Sequence, residues 1–180
     1  VKPDNPVDIT DVMELLRSSY EGTDMDMCKN LKVVVNRKRD DGSTYKDTVT
    51  SPIANLWLGG TMQQTLNMLA PGTIEFRRTV SVAWCSYSFV AQLRDWLPDE
   101  VGGILWFGTD DAATSYVTPI YTSISEVPEC FREGNGDLLH YSPTASFWIN
   151  NRVSNACYKM YNIMAPHVRK KIDAFETDQM

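Results

Sequence analysis

From Thr73 to Ser123 the chain is dominated by side-chain alternation with a period of two, and no helical stretch long enough to serve as a crossover interrupts it. Parallel strands need a crossover of a dozen or more residues, so this sector commits the chain to antiparallel pairing. Val80, Val82 and Trp84 alternate with Thr79, Ser81, Ala83 and Cys85, and Tyr87, Phe89, Ala91 and Leu93 carry the period on. The spacing predicts one long strand, or two joined by a bend near Cys85-Ser86. Pro98-Asp99 marks a turn, after which Gly102–Gly108 forms a short apolar strand. A loop over Thr109–Thr114 leads to a further alternating run, Ser115–Ser123. Pro119 lacks an N–H, which places that run at a sheet edge or puts a bulge in it.

Helical signals flank this sector. The lead-in at residues 1–7 holds two prolines, and Ile9, Val12, Met13, Leu16 and Tyr20 then fall on one helical stripe. Asp8 or Thr10 is placed to cap that helix and Gly22 to end it. Lys32–Arg37 and Tyr45–Thr50, separated by a segment with an Asp41-Gly42 signal, predict a β-hairpin. A short helix is expected from Thr61 to Leu69, before Pro71-Gly72. After a loop over Glu126–Pro143, Ala145–Met164 predicts a long helix with Ile149, Val153, Ala156, Met160 and Ile163 on its apolar stripe. Pro166 is expected to interrupt it before a last helix carrying Val168, Ile172 and Phe175. The order predicts an α+β fold in which antiparallel sheets are flanked by helices. The 180 residues read as a single domain, or as part of a larger one.

A net charge of −6 speaks against a nucleic-acid or anionic-membrane partner held by charge, and the basic run Arg37-Lys38-Arg39 is offset by Asp40-Asp41. No stretch reaches the unbroken apolar length of a membrane span. The four cysteines, Cys28, Cys85, Cys130 and Cys157, form no close pair of the kind that holds structural zinc. They read as buried thiols, with two disulfides open as the alternative.

Catalytic motifs of the common kinds are absent: there is no Walker loop, GxGxxG, GxSxG or HExxH. His140 is a candidate general base, and His167 reads as a surface residue. Asp110-Asp111, just past an apolar strand, offers either a carboxylate pair for a substrate amine or a solvated turn. Arg77-Arg78 and Arg94 are candidates for clamping a carboxylate or for surface ion pairs. Asn150, Asn151 and Asn155 would need polar partners if buried.

Six segments in order resemble a known family. They are Asp11–Arg17 with Tyr20-Glu21-Gly22-Thr23; Arg78–Ser81 with Ser86–Val90, Leu93-Arg94 and Leu97-Pro98; Gly102–Gly108; Pro119-Ile120-Tyr121; Glu126-Val127-Pro128; and Ser146-Phe147-Trp148 with Val153-Ser154-Asn155 and Tyr161. Together they are similar to the dipeptidase A family, cysteine peptidase family sixty-nine, among the N-terminal-nucleophile hydrolases. The resemblance is closest over 8–30 and 73–165 and fades over 31–72.

The resemblance implies a four-layer αββα sandwich and the hydrolysis of dipeptides. The nucleophile would be the thiol of an N-terminal cysteine, with that residue's own amine as base and with no metal or cofactor. Val1 carries no thiol, and Cys28 lies inside the chain, so the sequence reads as an internal or C-terminal fragment whose catalytic cysteine lies on preceding chain. No catalytic residue is then assigned here. The expected partners are a dipeptide and the missing N-terminal part of the same protein, with homo-association through uncovered sheet edges as a further possibility. A dipeptide needs one acidic and one basic anchor, and Arg78, Ser86, Tyr87, Arg94 and Asp110 are the candidate substrate-binding residues.

Overall fold

The first helix, α1 (Ile9–Arg17), opens with a reciprocal capping box: the Asp11 N–H donates to Asp8 Oδ1 at 3.0 Å and the Asp8 N–H to Asp11 Oδ2 at 2.9 Å. The computed structural model describes residues 4–55 and 57–180, so Val1 and the start of the lead-in lie outside the described residues. The helix ends at Arg17, earlier than the stripe predicts, and Tyr20 turns the chain with φ 65°.

β1 (Lys32–Lys38) and β2 (Thr44–Thr50) form the expected antiparallel hairpin, with Gly42 at φ 83° in its turn. α2 (Gly60–Leu69) follows. The central sheet has three antiparallel strands in the order β3 (Tyr87–Leu93), β4 (Gly103–Thr109) and β5 (Thr118–Tyr121), with a one-turn helix, α3 (Asp99–Gly102), between β3 and β4. α4 (Ser146–Cys157) and α5 (Tyr161–Gln179) complete the chain. The architecture is mixed α+β, with antiparallel sheets flanked by helices.

The main core lies between α1 and one face of the sheet. Met13, Val90, Ile104, Trp106 and Val117 are buried together, and Ile9, Val12 and Leu16 pack against them. The register puts Val90 opposite Trp106, and the Trp106 Nε1–H donates to Gln92 Oε1 at 3.1 Å. The other face carries Tyr87, Phe89 and Leu93, which are exposed. Gly108 is required where residues 116–117 cross β4, since a Cβ there would stand 2.7 Å from the Tyr116 carbonyl oxygen.

Three local expectations are corrected. Residues 73–86 form no strand, because their polar groups are engaged elsewhere. Thr79 Oγ1 donates to the Ser81 carbonyl, the Ser81 N–H donates to the Ser18 carbonyl, and Ser81 Oγ donates to Asp111. The run 115–123 pairs only over β5, because the Ser115 carbonyl is taken by Arg17 and the Val117 N–H by Glu176. Pro119 sits opposite Trp106 on that edge strand, where its missing N–H costs no ladder bond to a further strand. The helical break falls at the 3₁₀ turn Tyr158–Met160, and α5 runs on through Pro166.

Candidate functional site

β4 ends at Thr109, and the chain immediately bends with Asp110 in the left-handed region, φ 71°. That conformation is costly for a residue with a Cβ and is held by the surroundings. The Asp110 N–H donates to the Ser86 carbonyl at 2.9 Å, extending the β3–β4 ladder by one bond. The side chain is buried. Its Oδ1 accepts from Asn151 Nδ2 at 3.3 Å, while Oδ2 is enclosed and has no hydrogen-bond partner among the described residues.

Asp111 is completely buried. Its Oδ1 accepts from Ser81 Oγ at 3.1 Å and from the Ala113 N–H at 3.0 Å. Its Oδ2 accepts from Tyr158 OH at 2.9 Å and from Thr114 Oγ1 at 3.2 Å. Burial pushes the Asp111 carboxyl above the usual range, against the pull of these donors. Burial, reinforced by the Asp111 charge, raises the Tyr158 and Tyr161 phenols as well.

α4 supplies the opposing wall, and here a further expectation is reversed. Ile149 and Val153, read from spacing as its apolar stripe, are 38% and 36% exposed, whereas Ser146, Asn150, Ser154 and Cys157 are buried. Ser146 Oγ and Thr109 Oγ1 lie 2.8 Å apart, Asn150 Nδ2 donates to the Thr109 carbonyl at 3.2 Å, and Ser154 Oγ meets Thr114 Oγ1 at 2.6 Å. The helix presents polar groups because the loop it covers presents carboxylates and strand-end carbonyls that need partners. A stripe of Ser146, Asn150 and Ser154 at four-residue spacing was the available signal in the sequence. The alternative of a solvated turn at Asp110-Asp111 is excluded by their burial.

Of the candidate substrate-binding residues, the fold gathers Ser86, Tyr87 and Asp110 at one end of the β3–β4 pair. Tyr87 pairs with Thr109 and stacks on Phe89 and Phe107, with ring centroids 6.5 and 6.1 Å away. Arg94 is at the other end, about 20 Å along the strand, where its guanidinium donates to the Val101 carbonyl and closes the β3–β4 connection. Arg78 is exposed on the irregular segment before Ser81. His140 is a surface residue paired with Asp137 at 2.8 Å. Among the described residues no three His, Cys, Asp or Glu side chains converge as a metal-binding group.

The sequence model of Peptidase family C69 matches residues 1–174. The chain belongs to this family. Probable dipeptidase B of Lactococcus lactis subsp. lactis (strain IL1403) is 31% identical to it over 61 residues, which are 34% of the chain. The chain covers 12% of that relative's length. No solved structure matches.

For a member of a family of peptidases, the state of the thiols is informative. All four cysteines are free. Cys28 and Cys157 are buried, and burial pushes the Cys28 thiol up to about 11, with the nearby Asp26 adding to the shift. Burial likewise raises Cys85, Cys130 and Cys157. An attacking cysteine needs the opposite environment, one that favours the thiolate.

Proposed function

We propose that this chain is part of a cysteine-type dipeptidase and supplies framework and pocket wall, while the attacking thiol stands on polypeptide outside these residues. The match to the family over residues 1–174 carries the reading. The raised thiols support its second half, since none of the four cysteines sits where a thiolate would be favoured.

In the proposed reaction the thiolate of an N-terminal cysteine adds to the dipeptide carbonyl carbon. The C–N bond breaks as the cysteine's own ammonium protonates the departing amine, and a thioester remains. Water then cleaves the thioester, freeing the second amino acid and the thiol. Asp110 is suited to anchoring the substrate ammonium through Oδ2, which has no donor among the described residues, once the turn that encloses it opens. Ser86 and Tyr87 would form the adjoining wall, and Arg78, exposed just before Ser81, is the candidate arginine for the carboxylate, since Arg94 is held at the far end of the β3–β4 pair.

The test is hydrolysis of a dipeptide panel by this chain and by the longer protein containing it, with and without a thiol-alkylating reagent and a chelator. Turnover by the longer protein alone, abolished by alkylation and indifferent to the chelator, is expected. Turnover by this chain alone, or by the alkylated protein, overturns the proposal, and so does dependence on a metal.

A further inference from the structure

A cavity of about 520 Å³ lies between α1 and α5, in the size range of small-ligand sites. Its lining carries both signs of charge: Glu14 and Glu21 from α1 and the turn after it, and Arg17 and Arg169 facing them.

The two arginines are not equivalent. Arg17 is fully engaged: its Nε donates to the Ala112 carbonyl, Nη1 and Nη2 to Glu176, and Nη2 also to the Ser115 carbonyl. Among the described residues Arg169 makes a loose pairing with the exposed Asp173, 3.6 Å from its Nη2, and the charges of Glu176 and Glu14 act on it from further away. Its Nη1 is enclosed and has no hydrogen-bond partner among the described residues. A guanidinium drawn off water with an unused N–H pair costs free energy unless an anion meets it.

The acceptor side has oxygens that protein donors leave free. Glu14 is exposed and makes no hydrogen bond among the described residues, and Glu21 spends one oxygen on the Ser19 N–H at 2.9 Å. Pro166, also on the lining, has no N–H, so the carbonyl of Asn162 lacks its usual donor four residues on. Asn162 lines the same cavity.

We propose that this cavity binds a small zwitterion bearing an α-ammonium and a carboxylate, the carboxylate on Arg169 and the ammonium on Glu14, Glu21 and the Asn162 carbonyl. The assignment needs no peptide-bond cleavage and goes beyond the peptidase reading. A free amino acid and a dipeptide share this chemistry, and the probes separate them. Burial, with the Arg17 charge as a smaller contributor, holds the Arg169 guanidinium below its ordinary value, an environment that favours receiving an anion.

Calorimetric titration of the chain with alanine, Ala-Ala, N-acetylalanine and alaninamide tests the proposal. At least one of the first two binds, and whichever does identifies the source. Each singly charged analogue binds tenfold or more weakly. Arg169→Gln, and separately the double variant Glu14→Gln/Glu21→Gln, weaken the zwitterion at least tenfold. Lys170→Gln, an exposed change on the same helix, leaves it unaltered. The double variant alters surface carboxylates, so the test survives should Arg169→Gln fail to fold. Absence of binding by both zwitterions at millimolar concentration overturns the proposal, as does equal binding of the analogues or an equal loss with Lys170→Gln. Such a failure alongside dipeptide turnover by the longer protein would leave the peptidase reading intact.

Discussion

Arg17, the last residue of α1, and Glu176, near the end of α5, form a buried ion pair, 6% and 4% exposed, that ties the two ends of the described chain together. Glu176 Oε1 also accepts the Val117 N–H at 2.8 Å, and Arg17 holds the Ala112 and Ser115 carbonyls. The pair therefore positions the loop 112–117 that carries the chain from the carboxylate site into β5. Removing one partner leaves a desolvated charge, whereas removing both does not. Glu176→Gln is expected to destabilise the chain by about 3 kcal/mol. Arg17→Met/Glu176→Leu should recover only part of the loss, because the Ala112 and Ser115 carbonyls and the Val117 N–H then lack their partners, as read from urea unfolding midpoints. A double variant as unstable as the single one would show that the pair contributes net stability.

Asp111 gives a pH dependence of defined sign. Its carboxyl is raised in the folded state above the ordinary 3.8, so between that value and the raised one the folded chain binds more protons than the unfolded. The contribution of this group to stability is complete below 3.8 and declines as pH rises through that window. Asp111→Asn removes this decline but places an amide N–H₂ among donors. The variant should be less stable by about 2 kcal/mol at low pH, with the difference from the parent chain narrowing as pH rises. Unfolding free energies from pH 3.5 upward measure it, and a difference that widens with pH would contradict the assignment.

The thiols should react slowly and in a set order. At pH 7 a thiol near 11 is only about one part in ten thousand thiolate. Cys85 and Cys130, half-buried, are expected to be alkylated before Cys28 and Cys157, which are buried. Peptide mapping after timed exposure to iodoacetamide reads the order. Early labelling of Cys157 or Cys28 in the folded chain would show that the α4 end or the turn before β1 opens more readily than this packing permits.

Asp110 should separate stability from function. Glycine at this position relieves the left-handed strain, which is worth about 1 kcal/mol, so Asp110→Gly is expected to be nearly as stable as the parent chain or more so. Introduced into the longer protein, both Asp110→Gly and Asp110→Asn should reduce dipeptide turnover at least tenfold if the carboxylate anchors the substrate ammonium. Unchanged kcat/KM in a folded Asp110→Asn protein would remove Asp110 from the pocket.

Much of the fold was legible because local rules decided it. The Asp8 cap, the Asp41-Gly42 turn and the alternation in β3 and β4 each depend on neighbours a few residues away. The missing N–H of Pro119 narrowed its run to a sheet edge or a bulge, and the edge is where it lies. Family membership was legible too, since it rests on ordered residue identities. The candidate site was legible only in part. Asp110 stood out as one of a carboxylate pair after an apolar strand, but the adjacent Asp111 buries deeper and collects more hydrogen bonds.

Other features were settled by contacts between residues far apart in the chain. Periodicity marks a helix but does not say which face will be covered. On α4 the polar face won, because it lies over carboxylates and carbonyls whose desolvation outweighs the burial of Ile149 and Val153. Residues 79–81 and 115–117 have strand-like sequences yet give their backbone groups to Ser18, Arg17 and Glu176. Sequence alone determined the periods, the caps, the turns and the family. The tertiary structure decided which polar groups meet in the interior, because a buried donor or acceptor takes whatever partner the packing brings within 3 Å or so, and that partner can lie at the other end of the chain.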